Sequence, residues 1–186
     1  MISPTREDIL RHHYTHSLPS GKTREYVFED AIVLFSIPAN PYLAKFVLGR
    51  EGKVWELTRL WAPDGHAPDL LTRAIAKAVR GFRKDEPTVE ALVSFADPNA
   101  GHKGGVYRAA SWIYTGQSEE ARGYRDQDGR IVARRKFHAG STHLNKAAIE
   151  ALGFKEVKVP GKFRFVKGLT DRARRDIARR WQHIGG

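Results

Sequence analysis

The stretch that decides the fold is Leu92-Val93-Ser94-Phe95-Ala96-Asp97-Pro98-Asn99-Ala100-Gly101-His102-Lys103-Gly104-Gly105-Val106-Tyr107-Arg108-Ala109-Ala110-Ser111-Trp112-Ile113-Tyr114. An apolar run ends at an acidic residue, a glycine-rich loop follows, and a helix-compatible segment begins with a tyrosine. This order predicts a strand over residues 89–96, a loop, and a helix over residues 107–114. Because strand ends and the loops after them present side chains to ligands, we expect a pocket here.

The segments before this stretch predict antiparallel strands and helices. Residues 3–10 begin with hydroxyl and acidic residues, which predicts a short helix. Residues 26–37 are mostly β-branched or aromatic and predict a strand that enters the core, and residues 45–48 and 54–61 flank a glycine-containing turn that predicts a hairpin. Apolar residues at helical spacing then predict an amphipathic helix: Leu71, Ile75, Val79 and Phe82.

The segments after it predict further strands and two helices. A hairpin around Asp128-Gly129 is predicted for residues 122–137, a helix for residues 142–152 and a strand for residues 154–159. Residues 162–167 alternate basic and aromatic side chains, which predicts one face in the core and a cationic face outward. Thr170-Asp171 then caps a helix, and the buried stripe of that helix is Ala173, Ile177 and Trp181.

Together these elements predict one α+β domain over residues 1–186, a mixed sheet covered by helices with a basic C-terminal extension. The basic portion is residues 122–186. The order of antiparallel strands, helix, central strand and helix resembles that of the N-acetyltransferase-like (GNAT) fold. A fold by itself does not assign a reaction.

Charge is distributed unevenly along the chain, which has a formal net charge of +11 at pH 7. Residues 1–121 contain 15 Lys and Arg against 15 Asp and Glu, whereas residues 122–186 contain 17 against 6. A one-sided basic surface is typical of proteins that bind polyanions, because each neutralised phosphate releases counterions. The last third therefore favours nucleic acid as a partner over the alternative of a merely solvated basic face.

Composition excludes several classes of protein. The chain has no cysteine, which excludes disulfides and thiolate metal sites. No apolar run approaches the length of a membrane span, and the first 16 residues lack the apolar core of a signal peptide. We therefore expect a soluble, cytoplasmic protein with no membrane partner. The oligomeric state is not indicated by any of these features.

Four motifs resemble the Mom family of phage DNA-modification proteins, and the similarity spans residues 10–168. The central motif is Phe95-Ala96-Asp97-Pro98 followed by Gly101–Ala109 and Trp112. The other motifs are His13-Tyr14 ahead of Ser17-Leu18-Pro19, Glu56-Leu57-Thr58-Arg59-Leu60-Trp61, and Lys162-Phe163-Arg164-Phe165-Val166. The last of these departs from the usual Lys-His-Arg-Tyr of the family, so a histidine and a hydroxyl are missing. The preserved alternation favours a packing and phosphate-contact role.

The resemblance implies a GNAT-like enzyme that transfers a carbamoylmethyl group to the N6 amine of adenine in double-stranded DNA. This bulky mark blocks host restriction enzymes, so the implied enzyme acts in the cytoplasm of a bacterial host. The family is associated with iron. Its functional residues correspond here to His13, Tyr14, Asp97 and Tyr107, which the resemblance implies to be both catalytic and metal-binding.

The chemistry of these four side chains is compatible with that role. Imidazole, carboxylate and phenolate make a mixed nitrogen and oxygen set that suits non-haem iron. Tyr107 either ligates iron as a tyrosinate or protonates a leaving group, and otherwise it is a core tyrosine. Asp97 otherwise initiates a turn before Pro98. Because neighbouring side chains in a strand point to opposite faces, His13 and Tyr14 both ligate only if the backbone turns.

The glycine-rich loop is a candidate cofactor site whose residues are Gly101, His102, Gly104 and Gly105. Free N–H groups at a helix N-terminus can bind an anion, although a flexible connection explains the glycines equally well. The Arg/Gln-x-x-Gly-x-Gly/Ala signature by which acetyltransferases bind acyl-CoA is expected within residues 62–72, which contain only Gly65. The donor is therefore either an acyl-CoA that is bound differently or another molecule.

The N6 amine lies inside the base pair, so an enzyme that modifies it must unstack or flip the adenine. Candidate residues for stacking on the base are Trp55, Trp61, Trp112, Tyr114 and Phe95. Candidate phosphate contacts are Lys162, Arg164, Lys167, Arg172, Arg175, Arg179 and Arg180. Contacts of this second kind position the duplex without reading its sequence.

Two other functions are compatible with the sequence. The first is a conventional GNAT N-acetyltransferase that acts on a protein or a small amine. The second is a non-catalytic DNA-binding protein, which the charge distribution alone permits.

Overall fold

The structure is a computed structural model that describes residues 3–139 and 142–184. The helices in these residues are α1 (Arg6–His12), α2 (Leu43–Leu48), α3 (Leu70–Asp85), α4 (Gly105–Ala109), α5 (Lys146–Ala151) and α6 (Asp171–Trp181). The strands are β1 (Thr23–Phe28), β2 (Ala31–Ser36), β3 (Val54–Trp61), β4 (Ala91–Ala96), β5 (Ile113–Gln117), β6 (Ala121–Arg125), β7 (Ile131–Ala133), β8 (His138–Ala139), β9 (Thr142–His143), β10 (Lys155–Val159) and β11 (Phe163–Gly168).

The main sheet has the strand order β1-β2-β3-β4-β11-β5. Its neighbours are antiparallel except for β3 and β4, which run parallel and are joined by α3. These two strands pair only from Val54 opposite Ala91 to Leu57 opposite Ser94, while β3 continues alongside β2 as far as Trp61. A cleft therefore begins at the carboxyl ends of the parallel pair, which is where ligands bind in open α/β sheets.

Both faces of the main sheet are covered by helices, and β2 is therefore buried along its whole length. Its odd-numbered residues pack in the cluster of α3, whereas Ile32 and Leu34 pack with Ile9 of α1 on the opposite face. Further along that second face, α2 and α6 pack together over Val93 and Val166. This alternation confirms the α+β class with a mixed sheet between helices, and the GNAT-like topology stays a prediction.

Two predictions about the first half of the chain were wrong. Residues 26–37 are not one strand, because the chain reverses at Glu29, where φ is 51°, and β1 pairs antiparallel with β2. Residues 45–48 belong to helix α2 rather than to a strand, because the apolar residues of this segment lie at helical spacing and pack on α6. A short apolar run does not distinguish the two structures by its period.

The predicted helix over residues 107–114 was too long. Helix α4 ends at Ala109, and the chain enters β5 at Ile113. Ile113 and Tyr114 pair with Val166 and Phe165 of β11, so cross-strand pairing replaces the helix at this point.

The predicted helix over residues 142–152 was also too long. Thr142 and His143 pair with β8 as strand β9. Helix α5 begins only at Lys146, because the side chain of Asn145 accepts a hydrogen bond of 2.9 Å from the N–H of Ala148 and caps the first turn.

The basic portion of the chain is part of the same fold and not an extension of it. Strand β11 lies inside the main sheet between β4 and β5, and α6 packs on that sheet through the predicted stripe of Ala173, Ile177 and Trp181. Strands β6 and β7 form the predicted hairpin and continue into a small sheet with β10. Across residues 3–139 and 142–184, the helices lack the length and apolar character needed to cross a bilayer.

Candidate active site

A cavity of about 740 Å³ opens at the carboxyl ends of β3 and β4. Its walls include residues 56–60 from β3, residues 95–96 from β4 and residues 13–15 from the segment after α1. Residues 101–107 of the following loop and α4 contribute a further wall, and Lys162 at the entry to β11 completes it. Three of the predicted functional residues, His13, Tyr14 and Tyr107, therefore face one cavity.

Tyr107 is held firmly in the cavity wall. Its buried ring packs against Phe165 and Trp112, with ring centroids 5.3 and 5.5 Å away. Its hydroxyl makes a hydrogen bond of 2.8 Å with Ser94 Oγ, and Ser94 also donates a bond of 2.9 Å to the carbonyl of Leu57. Tyr107 is thus a core tyrosine, as one prediction had it, and it also lines the cavity, as a functional role would require.

Burial raises the pKa of Tyr107 to about 12, although the hydrogen bond with Ser94 opposes this change. The nearby Tyr14 and Glu56 raise the pKa further. At neutral pH the side chain therefore keeps its proton. A protonated phenol donates a hydrogen bond or a proton, whereas metal ligation as a tyrosinate requires its loss.

His13 and Tyr14 both reach the cavity because the chain bends immediately after α1, where His13 is the C-cap residue. Their ring centroids lie 4.5 Å apart, and the ring of Tyr14 lies 5.1 Å from that of His102. The backbone therefore turns between α1 and the following segment, as is required for His13 and Tyr14 to line one site. The three rings form an aromatic surface on one wall.

His13 is a neutral imidazole at physiological pH. Burial lowers its pKa to about 4, and the positive charges of Arg59 and Lys162 lower it in the same direction. The backbone N–H of Thr15 donates to Nδ1 at 3.2 Å, so Nδ1 acts as an acceptor and the ring proton resides on Nε2.

Asp97 lies behind the cavity wall and is not among its lining residues in the described part of the chain. Its Oδ2 accepts a bond of 2.8 Å from Lys162 Nζ, and its Oδ1 accepts from the backbone and side-chain nitrogens of Asn99, both at 3.0 Å. Burial alone would raise the pKa of Asp97, but Lys162 and Asn99 together bring it below its ordinary value. Asp97 thus both starts a turn and positions Lys162.

The four predicted iron ligands do not form one site in this arrangement. Among the side chains that the structure describes, no group of three or more His, Asp or Glu is arranged to hold a metal ion, a count that does not include tyrosines. Both oxygens of Asp97 have other partners, and Tyr107 retains its proton. Iron held by all four residues would require Asp97 to exchange Lys162 for the metal and Tyr107 to lose its proton.

The cavity is predominantly cationic. Arg59, Lys103 and Lys162 line it, and Glu56 is the single acidic residue among the lining residues that the structure describes. An anionic ligand, such as a phosphate group, is therefore favoured here.

The predicted cofactor loop also lines the cavity, through Gly101, His102, Gly104 and Gly105. Gly101 and Gly104 have φ angles of 76° and 77°, which glycine adopts without strain. A Cβ atom at Gly104 would lie 2.2 Å from the ring of Phe165, so this glycine lets α4 pack on β11. Because α4 has five residues, its N-terminus offers a weak dipole, and anion binding by the loop stays a prediction.

The segment expected to carry an acyl-CoA signature, residues 62–72, connects β3 to the first turn of α3. Leu71 is its one member in the cavity lining. The position of the segment beside the cavity matches the expectation, but its residues do not supply the glycines of the signature. Binding of an acyl-CoA donor stays a prediction.

The cations of β11 do not form the predicted outward-facing cationic face. Arg164 is 8% exposed, and its guanidinium lies 4.1 Å from the ring centroid of Phe46 and donates to Thr115 Oγ1 and O at 3.0 and 2.7 Å. Lys167 Nζ donates to the carbonyls of Ala110 and Ser111, each at 3.0 Å. Both residues, like Lys162, have partners inside the protein, and Arg164 is not placed to contact a phosphate.

The arginines of α6 face solvent, because the buried stripe of the helix occupies its other side. Four of its five arginines were predicted to contact phosphate: Arg172, Arg175, Arg179 and Arg180. Among the residues that the structure describes, the first three have no carboxylate within ion-pair distance, whereas Arg180 donates to the carbonyl of Phe46 at 2.7 Å. These side chains are the best placed of the predicted phosphate contacts.

Of the aromatic residues suggested for base stacking, Phe95 is the one in the cavity lining. Trp55 and Trp112 are buried in the core, and Trp61 stacks on His12 at 5.7 Å. Tyr114 borders a second cavity of about 340 Å³. Two residues that were not suggested, Tyr14 and His102, offer ring faces inside the main cavity.

Sequence reasoning missed three polar residues of the site: Glu56, Arg59 and Ser94. Glu56 and Arg59 were noted as part of a motif but were given no role. All three stand within otherwise apolar strands that run into the core. A polar residue in such a strand needs a polar partner or has a function. The occurrence of these residues in apolar strands could therefore have indicated the site.

Comparison with known proteins agrees with the motifs. The model of the Mom protein family matches residues 3–184. A segment of 64 residues is 38% identical to the methylcarbamoylase Mom of Escherichia phage Mu, and it covers 34% of this chain and 27% of that protein. Since the family match extends over nearly the whole chain, including the cavity and α6, the chain belongs to the Mom protein family.

Proposed function

We propose that this protein transfers a carbamoylmethyl group to the N6 amine of adenine in double-stranded DNA. Membership of the Mom family supports DNA modification, and the phage Mu relative is named a methylcarbamoylase, which supports transfer of a group that contains a carbamoyl unit. The proposed mark protects phage DNA from restriction, so the proposed setting is the cytoplasm of a bacterial host. The parallel pair β3 and β4, with a cavity at its carboxyl ends, supports a GNAT-like scaffold for this activity.

The observation that carries the proposal is a cavity in which aromatic rings and cations occur together. A flipped adenine is an aromatic ring attached to phosphates, and such bases are held by stacking and by cationic contacts. Tyr14 and His102 provide ring faces, while Lys103 provides positive charge. At about 740 Å³, the cavity lies in the range of roughly 300–1,000 Å³ typical of ligand sites, so it also has room for a donor.

The transfer forms a bond between N6 and the carbon of the incoming group. The bond from that carbon to the donor breaks, its electron pair departs with the leaving group, and N6 releases one proton. We assign Glu56 as the acceptor of that proton, because it is the one carboxylate in the described lining of the cavity. The acceptor nitrogen of His13, Nδ1, is already occupied by the N–H of Thr15, and Asp97 is not among the described lining residues. Tyr107 keeps its proton, and we assign it to donate a hydrogen bond to the leaving group in exchange for its bond with Ser94.

Expression in a bacterial host, followed by mass spectrometry of the nucleosides, tests this function. We expect deoxyadenosine that carries the added carbamoylmethyl mass, and DNA with unmodified adenine only, from cells with soluble protein, would refute the proposal. Glu56→Gln and Tyr107→Phe are expected to lower the mark by about 100-fold or more, because each removes a proton-transfer group. Glu119→Gln, at an exposed glutamate outside the cavity, is the matched control and should leave the mark unchanged.

The two alternative functions have distinct outcomes in the same material. Saturable binding of acetyl-CoA together with an acetylated amine, and no mark on DNA, would identify a conventional N-acetyltransferase. Salt-sensitive DNA binding without any mark would identify a non-catalytic binding protein, which the exposed arginines of α6 favour over the first alternative.

Iron binding is proposed from the family resemblance alone, with His13, Tyr14, Asp97 and Tyr107 as the ligands. Elemental analysis of purified wild-type protein and of Asp97→Ala tests it directly. Stoichiometric iron that is lost in the variant would show that Asp97 exchanges Lys162 for the metal. The same iron content in both proteins would exclude Asp97 as a ligand.

A further inference from the structure

Ile37 is a large apolar side chain exposed at the edge of the main cavity. It is 52% exposed and yet belongs to the cavity lining. Of the large hydrophobic side chains that are exposed in residues 3–139 and 142–184, only Tyr14 shares this combination. Ile37 directly follows β2, whose residues are all buried, so it is the first side chain of this segment to emerge from the core.

The loop that carries Ile37 is stiff. It connects β2 to α2 with the sequence Ile37-Pro38-Ala39-Asn40-Pro41-Tyr42, in which two prolines fix the backbone φ. The side chain of Asn40 accepts a bond of 2.9 Å from the N–H of Tyr42, and the carbonyl of Asn40 accepts one of 3.2 Å from Leu43 at the start of α2. Ile37 is therefore presented by a fixed segment anchored in the sheet and in a helix.

An exposed apolar side chain beside the cavity could fill the gap that base flipping leaves in the DNA. An adenine that leaves the duplex and enters a pocket leaves a gap in the base stack, and unstacking costs roughly a few kcal/mol. Proteins that unstack DNA frequently insert an apolar side chain, including isoleucine, between the base steps. The insertion requires an apolar group that is exposed, rigidly held and next to the pocket that receives the base.

We propose that Ile37 is a wedge that enters the duplex and occupies the space vacated by the flipped adenine. The inference rests on the proposed function and names its substrate as stacked, double-stranded DNA. Ile37 acts as a positioning residue, since it contacts the neighbouring bases and not the reacting atoms. It is therefore required when the adenine is paired and stacked, and dispensable when the adenine is already unpaired.

The test uses purified protein and duplexes in which the fluorescent base 2-aminopurine replaces adenine in several sequence contexts. Unstacking raises its fluorescence, and no donor is needed. We expect wild-type protein to raise the signal on a fully paired duplex, and Ile37→Ala to lower the apparent flipping constant about tenfold. With the same base placed opposite an abasic site, both proteins should give equal signals. Ile37→Leu should behave as wild type.

Leu152→Ala is the matched control, because Leu152 is 59% exposed and lies outside the cavity lining. It should match wild type on every duplex. Equal signals from wild type and Ile37→Ala on the paired duplex would overturn the wedge. An equal loss of signal on paired and abasic duplexes would also overturn the wedge, because Ile37 would then be part of the pocket itself. The absence of any fluorescence rise with wild-type protein would overturn it as well.

The proposed function is tested by a separate measurement, the mass of modified deoxyadenosine in cellular DNA. A wild-type mark combined with unaltered flipping by Ile37→Ala would overturn the wedge and leave the function standing. Flipping that depends on Ile37 without any mark would refute the function and support the wedge. Thermal melting of each variant checks folding, and a small change is expected because Ile37 is exposed.

Discussion

Strand β11 and helix α6 follow one another in the chain and are both rich in cations, yet their cations do different things. Lys162, Arg164 and Lys167, at and within β11, each make hydrogen bonds or ion pairs inside the protein. Arg172, Arg175 and Arg179 on α6 are exposed and lack ion-pair partners among the described residues. Both segments carry a net positive charge, but they differ in which cations they leave available to DNA.

The difference follows from how many sides of each element are covered. Strand β11 has β4 and β5 on its two edges and helices over its faces, so a cation there is desolvated and must find acceptors within the fold. Helix α6 buries one stripe and leaves the rest in water, where arginines need no partner. We therefore expect β11 cations to determine stability and α6 cations to determine DNA affinity.

The largest effect is expected for Arg164→Met. This change keeps the aliphatic packing but removes the bonds to Thr115 and the stacking on Phe46. We expect the free energy of unfolding in urea to fall by about 3 kcal/mol, because two charge-assisted hydrogen bonds and a buried cation–π contact are lost. Arg175→Met on α6 should change it by less than about 0.5 kcal/mol. Equal changes at the two positions would contradict the comparison.

The next effect is on DNA binding by the variant in which Arg172, Arg175 and Arg179 are all replaced by Gln. The slope of log affinity against log salt should fall by about 2 to 3, because each lost phosphate contact contributes about 0.9. Affinity near 0.15 M salt should drop about thirtyfold, measured by fluorescence anisotropy.

The control for α6 removes the same charge from the small sheet, by replacing Arg125, Lys155 and Lys158 with Gln. These side chains are exposed on β6 and β10, away from the cavity lining. An equal loss of affinity in both variants would mean that net charge, and not the position of α6, governs binding.

A smaller effect is expected for Lys162→Met, which removes the partner of Asp97. The pair is partly exposed, so we expect a loss of about 1 kcal/mol at neutral pH. The pKa of Asp97 is lowered in the folded protein, so its stabilisation is present above the ordinary value near 3.8 and is lost as the pH falls through the folded value. The difference in unfolding free energy between wild type and variant should therefore shrink as the pH falls below the ordinary aspartate pKa near 3.8. A constant difference would exclude the pair as its source.

The smallest effect is expected for Lys167→Met. Its ammonium donates to two carbonyls just beyond α4, and water can replace part of that interaction because the side chain is only half-buried. We expect a loss of about 0.5 kcal/mol in the unfolding free energy and unchanged DNA affinity. A clear loss of affinity would show that Lys167 contacts DNA after all.

Much of the fold was predictable from long helices with a regular apolar period and from a hairpin with a characteristic turn sequence. Helix α3 and the stripe of α6 follow from the helical spacing of their apolar residues, and the hairpin of β6 and β7 follows from Asp128-Gly129. The errors fell on short segments. Six residues at α2 and eight near α4 are too few for a period to decide between helix and strand, and contacts with α6 and β11 decided instead.

The candidate site was partly predictable. His13, Tyr14 and Tyr107 meet in one cavity as the motifs indicated, although they are separated by about 90 residues in the chain. The partnership of Asp97 with Lys162 and the place of Glu56 in the lining were not predictable, because both depend on which strand ends lie side by side.

By itself, the sequence determined the residue types of the site, the location of the positive charge and the periodic elements, since these are properties of neighbouring residues. Only the tertiary structure decided which cations remain free, which carboxylate faces the cavity and which tyrosine keeps its proton. These outcomes depend on desolvation and on partners brought from distant parts of the chain. Arg164 and Arg175 are both arginines of one basic segment, and only their surroundings separate a stabilising residue from a candidate DNA contact.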